Sequence, residues 1–358
     1  MQRKFFQAFS EMAPRTVLVT GASGFIGAHV VKTALDQGYN AVALARGANA
    51  AYIKRSSEKY GEKLRVVEVD DIFNGQIDKE IFKSVDGLIH VASPMPDKAP
   101  LQDIIAPAIK GTLNIIEQAA DAGVKSVVIT GALVSLRNPE DNFRNDAWNP
   151  LTTEQAVADG SPMAIYTASK KYSELAVWEW AEKHPDVEVA VILPPLVVGP
   201  YEREFFNVQV DNQSLSNKFI YPFIFPDAKY PPLILWTDVR DLAKAHVNAL
   251  FDAPPTSSIG RKRILFGNPH EVDNKDVLEI LAAKRPQLKD RLNKGEPPVA
   301  TLKKLPLDWK RVEEVTGLKP ADLRTVEQTL LELVDDYLVS EDKWKAEGLD
   351  TSLKIPDL

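Results

Sequence analysis

Short apolar runs rich in Val, Ile and Leu recur along the first half of the chain, each bounded by polar or turn-forming residues. They fall at residues 16–19, 41–45, 64–69, 86–92, 125–130 and 187–193. Runs this short, largely without polar alternation, read as strands buried on both faces. Between them apolar residues return at helical spacing, as in 28–35 and 111–120. Alternating strands and helices predict an α/β fold, a doubly wound parallel sheet with helices on both faces. Past residue 200 the pattern changes. Tyr, Phe and Pro crowd residues 201–236, a helical period returns at 238–246, and the remainder is charged and helix-rich, including 326–338.

The first run opens onto Thr20-Gly21-Ala22-Ser23-Gly24-Phe25-Ile26-Gly27. A strand, a glycine-rich turn and a helix are the parts of a phosphate site. Gly21 permits the tight turn, Gly24 lets backbone N–H groups approach an anion, and Gly27 lets the helix pack on the strand. The anion then sits at the helix N-terminus, where unpaired N–H groups and the macrodipole favour it. Ser23, Phe25 and Ile26 belong to the same turn. The second strand ends in Arg46, with no acid there, and Lys54 and Arg55 follow. An acid would take a ribose 2′-hydroxyl and an arginine a 2′-phosphate, so Arg46 favours NADPH/NADP over NAD. The competing reading of Arg46 is a solvated loop cation.

Composition narrows the partners. The 358 residues are 44% hydrophobic and 26% charged, as in an ordinary globular protein. A net charge of −7 argues against nucleic acid or an anionic membrane as the main partner. With no cysteine, disulfides, thiolate metal sites and thiol nucleophiles are excluded. No apolar run approaches the ~20 residues of a membrane span, and the N-terminal ten are too short and polar for a secretory signal. The expectation is a cytoplasmic protein acting on a small molecule, with homodimerisation left open. We divide the chain into an N-terminal extension (1–13), a dinucleotide-binding domain (14–193 with 236–255) and a smaller C-terminal substrate lobe (194–235 with 256–358).

Tyr166-Thr167-Ala168-Ser169-Lys170 puts a tyrosine and a lysine four apart, adjacent on one face of a helix. A free phenol has a pKa near ~10. A neighbouring ammonium stabilises the phenolate and lowers that value, which turns the hydroxyl into a workable general acid or base. Alone, such a pair is a common helix-surface pattern. Following a fifth strand and a glycine loop, it marks a catalytic pair. His90, on an apolar strand, reads as core.

These stretches together resemble the extended short-chain dehydrogenases/reductases, in particular the dihydroflavonol-reductase-like group and its fungal NADPH-dependent aldehyde and ketone reductases. The motifs span residues 15–250: the glycine loop, Arg46, Asp71-Ile72, His90-Val91-Ala92-Ser93-Pro94, Gly111-Thr112-Leu113-Asn114, Trp148-Asn149-Pro150, the Tyr166/Lys170 pair and Gly199-Pro200. The resemblance implies a Rossmann fold and reduction of a carbonyl, with hydride from the nicotinamide and the proton from Tyr166. It implies that Asp71 and Ile72 contact the adenine, with a helix cap the competing reading of Asp70. Ala92, Ser93 and Thr130 would line the cofactor, Lys170 would hold its ribose, and Pro194 to Val197 would wrap the nicotinamide. Asn114 reads as structural.

One position departs. In that family the fifth strand ends Thr-Ser-Ser, and the second serine hydrogen-bonds the substrate carbonyl. Here the stretch is Thr130-Gly131-Ala132-Leu133-Val134-Ser135, so Ala132 stands where the hydroxyl belongs. Losing one donor at a developing oxyanion costs about 10²–10³ in rate. Three readings compete: Thr130 or Ser135 substitutes, Tyr166 alone suffices for an activated carbonyl, or the protein is an NADP-binding regulator or weakened paralogue. A nucleotide-sugar epimerase is a weaker alternative, because 201–236 offers little polar surface. Phe205, Phe206, Tyr221, Phe223, Phe225 and Trp236 suggest an apolar pocket, though core packing explains them equally well.

Overall fold

Seven strands lie parallel in one sheet: β1 (Thr16–Thr20), β2 (Asn40–Ala45), β3 (Leu64–Glu68), β4 (Gly87–His90), β5 (Ser126–Thr130), β6 (Glu188–Leu193) and β9 (Lys262–Leu265). Their order is β3-β2-β1-β4-β5-β6-β9. The computed structural model describes residues 14–94, 104–136, 143–230, 235–299 and 304–351, so the extension at 1–13 lies outside the described residues.

Side-chain alternation divides the core into two halves. Val17, Val19, Ile89 and Val128 face helices α1 (Phe25–Asp36) and α5 (Val239–Phe251), which pack on each other. Leu18, Leu88, Val127 and Ile129 face the opposite layer, α3 (Ile105–Asp121) and α4 (Pro162–Lys183), also packed together. A period of two along each strand produces this division. The strand order reverses between β1 and β4, and a ligand crevice forms beyond the carboxyl ends of strands at such a point. The glycine loop follows β1 and Ala92 follows β4, so both line it.

Two features differ from the sequence reading. Residues 262–265, assigned above to the substrate lobe, form the seventh strand. Arg261-Lys262-Arg263 looks solvated, yet Lys262 and Arg263 are buried because Glu188 and Glu174 neutralise them, at 2.8 and 2.5 Å. The second feature is a two-stranded parallel ladder, β7 (Leu196–Val198) with β8 (Trp236–Asp238), which brings residue 236 back beside the end of β6. Asp238 caps α5 by accepting from the Arg240 N–H at 2.8 Å, as its position suggests. Residues 326–338 belong to a longer helix, α6 (Val326–Ala346). Among the described residues no helix is long and apolar enough to cross a membrane.

Candidate active site

Gly21 adopts φ 67°, and a Cβ there would lie 2.9 Å from the Ala92 nitrogen. A Cβ on Gly27 would lie 2.0 Å from the Gly21 carbonyl oxygen, which only glycine permits. Gly24 is the N-cap of α1, no side chain caps the helix, and its first turn holds no acid. The leading N–H groups of a twelve-residue helix are therefore left to an anion, and the loop fits a dinucleotide pyrophosphate.

Arg46 follows β2 as the N-cap of α2 (Gly47–Ser56), is exposed, and its side chain makes no hydrogen bond or ion pair among the described residues. Asp71 lies in the turn after β3. Its carboxylate accepts from the Asn74 side-chain amide at 2.9 Å and from the Phe73 and Asn74 N–H groups at 2.8 and 3.2 Å, and these bonds, the amide's first, hold it below the usual carboxylate range. Ile72 is buried beneath it. No helix follows Asp70, so the cap reading of that residue is not what forms. Asn114 is structural: its amide donates to Gly75 O at 3.0 Å and fastens this turn to α3.

Tyr166 and Lys170 share a face of α4, which starts at Ser161 as N-cap with Pro162 in the first turn. Lys170 Nζ donates to the Thr130 carbonyl at 3.3 Å, tying α4 to the end of β5. Burial pushes the Tyr166 phenol up to about 12. Burial also pulls Lys170 down to about 8, and Glu174 one turn on works against that shift. The expected lowering of Tyr166 by Lys170 is thus not found in the protein alone, where burial is the cause that sets the shift.

The structure decides between the two substitute donors. His246 Nδ1 lies 2.8 Å from the Leu242 carbonyl, an acceptor, so Nδ1 carries the proton. Burial lowers His246 to about 4, so the ring is neutral and Nε2 is an acceptor. Thr130 Oγ1, 2.8 Å from Nε2, must donate to it. That hydroxyl faces the α1/α5 layer and its proton is committed; it is no donor beside Tyr166. Ser135 is completely buried in the turn after β5, and its hydroxyl has no partner among the described residues. Neither residue replaces the hydroxyl missing at Ala132, which is 6% exposed.

Pro194 accepts the Leu133 N–H at 2.8 Å, so the β5 and β6 exits are pinned together. Val197 is in β7 with its side chain in the core, and Ala92 and Ser93 are partly buried. The pocket reading of the aromatics fails for most of them. Phe205, Phe206, Tyr221, Phe223 and Trp236 are 0–5% exposed and fill the core shared with α6, while Phe225 is partly buried. Phe25 meets the rings of Tyr201 and Phe206 edge-on, at 5.5 and 6.5 Å, so the glycine loop rests on this cluster.

Sequence reasoning missed two contributors. His246 meets Thr130 across 116 residues, a contact with no local signal. Glu174 pairs with Arg263 and accepts from Trp178 Nε1 at 3.1 Å, while Arg263 stacks 3.9 Å from the Trp148 ring. This buried cluster backs the helix that carries Lys170.

Comparison with known proteins agrees with this geometry. The model of the NAD dependent epimerase/dehydratase family matches residues 17–258. The NADPH-dependent methylglyoxal reductase GRE2 of Saccharomyces cerevisiae is 30% identical, over 89% of this chain and 98% of its own. The ketoreductase azaE of Aspergillus niger is 31% identical over 87% and 95%. The crystal structure of yeast methylglyoxal/isovaleraldehyde reductase Gre2 complexed with NADPH superposes with a TM-score of 0.76 at 25% identity, covering 92% of this chain and 99% of that one. A glycine loop at the β1/β4 switch point and a match across two thirds of the sequence lead to one conclusion: this chain belongs to the NAD dependent epimerase/dehydratase family.

Proposed function

We propose that this protein is an NADPH-dependent carbonyl reductase acting on aldehydes or ketones. The observation that carries the reading is Tyr166 and Lys170 on one helix face, with Lys170 anchored to the end of β5 beside the glycine-loop crevice. The curated relatives named above, reductases and a ketoreductase, support it. Gly21, Ser23, Gly24, Phe25, Ile26 and Gly27 would hold the pyrophosphate, Arg46 the 2′-phosphate, and Asp71 with Ile72 the adenine side. Ala92, Ser93, Thr130, Pro194 and Val197 would flank the nicotinamide half. NADPH, when bound, supplies the hydride for the carbonyl carbon.

The chain's own task is the proton. With its pKa up at about 12, Tyr166 keeps its hydrogen at neutral pH and can give it to the oxygen as negative charge develops there. Lys170, near 8, is mostly charged at pH 7 and favours the resulting phenolate. Its bond to the Thr130 carbonyl holds that charge in place. Because Ala132 offers no hydroxyl and Thr130 gives its proton to His246, Tyr166 bears the oxyanion without help from these two positions. We also propose that 14–193 with 236–261 and β9 carry the cofactor, and that 194–235 with the residues after 265 carry the substrate side.

The bare end of β5 favours a second reading, an NADP-binding regulator. One experiment separates them: NADPH consumption across a panel of aldehydes and ketones, for the wild type and Tyr166→Phe. Turnover that the substitution abolishes supports the reductase. Tight NADPH binding with no turnover of any carbonyl supports the regulator.

A further inference from the structure

His90 is 2% exposed and lies on β4 opposite Thr20 in the β1/β4 register. Thr20 Oγ1 accepts from the Val91 and Ala92 N–H groups, at 3.1 and 3.2 Å. Both lone pairs of that oxygen are then in use, so its hydrogen goes to His90 Nδ1, 2.8 Å away. A neutral ring accepting at Nδ1 carries its proton on Nε2, which lies 3.3 Å from Thr112 Oγ1 on α3. Burial keeps the ring neutral by lowering it to about 3, and the Lys170 cation, the charged group facing it, adds to that effect.

One hydroxyl therefore gathers two backbone N–H groups just past the last paired residue of β4. Those groups belong to the loop that a Cβ on Gly21 would strike, 2.9 Å from the Ala92 nitrogen. The strand ladder stops at Thr20 and His90, while the crevice lies beyond it. Thr20 and His90 extend the pinning of the two strand ends past the point where sheet bonding ceases.

We propose that His90 is a positioning residue for the dinucleotide site. Held as the Nε2–H tautomer between Thr112 and Thr20, it orients the Thr20 hydroxyl that sets the distance between the glycine loop and Ala92. It touches neither substrate nor cofactor, and its effect is on binding. The proposal rests on the dinucleotide reading of the loop.

The test is NADPH titration by protein fluorescence, with thermal unfolding of each variant alongside. Thr20→Val removes the gathering hydroxyl and is expected to raise the NADPH Kd about 10- to 100-fold. His90→Leu should raise it about tenfold, and His90→Gln, which keeps an acceptor and a donor, should restore it to within about threefold of wild type. The kcat at saturating NADPH should change less than Kd in each. In ¹⁵N spectra of the wild type, His90 should show the Nε2–H tautomer unchanged from pH 5 to 9. If His90→Leu does not fold, Thr112→Val takes its place, with a several-fold rise in Kd expected. Wild-type affinity in a folded His90→Leu or Thr112→Val protein, or an Nδ1–H signature, overturns the proposal. A wild type that shows the tautomer but binds no NADPH overturns the dinucleotide reading and leaves the hydrogen-bond chain intact.

Discussion

At the end of β1 the proposed ligand surface is the backbone itself. Three glycines bring main-chain N–H groups into the open, and a Cβ at Gly27 has no room. At the end of β5 the groups that meet are side chains reaching in from elsewhere, Lys170 from α4 and His246 from α5, both onto Thr130, while Ala132 two residues on carries no hydroxyl. A backbone site tolerates no added atom but asks nothing of distant residues. A side-chain site survives the loss of one hydroxyl because its other members are held by separate contacts. If the proposed site is right, binding and rate are set at different strand ends and should separate under mutation.

The largest effect should come at the β5 end. Tyr166→Phe is expected to lower kcat by about 10³ while the NADPH Kd stays within about twofold, since general acid catalysis contributes about 10²–10⁴. Steady-state rates against a fluorescence titration check it. At the β1 end, Gly27→Ala should do the reverse. The NADPH Kd should rise about 100-fold, in a protein whose thermal unfolding is also measured, because the new methyl meets the Gly21 carbonyl. A Gly27→Ala protein with normal Kd would break the comparison.

Two substitutions sharpen it. Arg46→Ala should weaken NADPH about tenfold and leave NADH nearly unchanged, the size of a charged hydrogen bond of about 1.5–3 kcal/mol at its low end. Ala132→Ser should raise kcat/KM for an unactivated ketone about tenfold, less for an activated one, with NADPH affinity constant. No gain would mean that Tyr166 already satisfies the oxyanion.

The last prediction concerns stability rather than binding or rate. His29, His90 and His246 are lowered by burial to about 4, 3 and 4. Between pH 6.5 and 4 the unfolded chain binds protons at these rings and the folded chain does not. Stability therefore falls as pH falls through that window, by at most about 1.4 kcal/mol per pH unit for each ring. Urea midpoints at pH 7 and 5 measure it; equal midpoints would show that the rings titrate normally.

Much of this was legible in the residues. The strands of the nucleotide half show as apolar runs because a parallel sheet buries both faces, and burial on both faces leaves no room for polar alternation. The glycine loop and Tyr166/Lys170 are local patterns whose spacing is their geometry. Strand β9 was not legible. Arg261, Lys262 and Arg263 carry the signature of solvated chain, and only Glu174 and Glu188, far away in sequence, allow two of them inside.

The same division holds at the site. Sequence alone pointed to an anion site after β1, marked Arg46 as the candidate partner of a 2′-phosphate, and showed that Ala132 lacks a hydroxyl. Tertiary structure decided that Thr130 turns its proton to His246, that Ser135 is sealed, and that the aromatics of 201–236 are core. Each of these depends on which face of the sheet a side chain takes and on what a remote segment places there. No local pattern records such contacts, because the partners meet only when the layers pack.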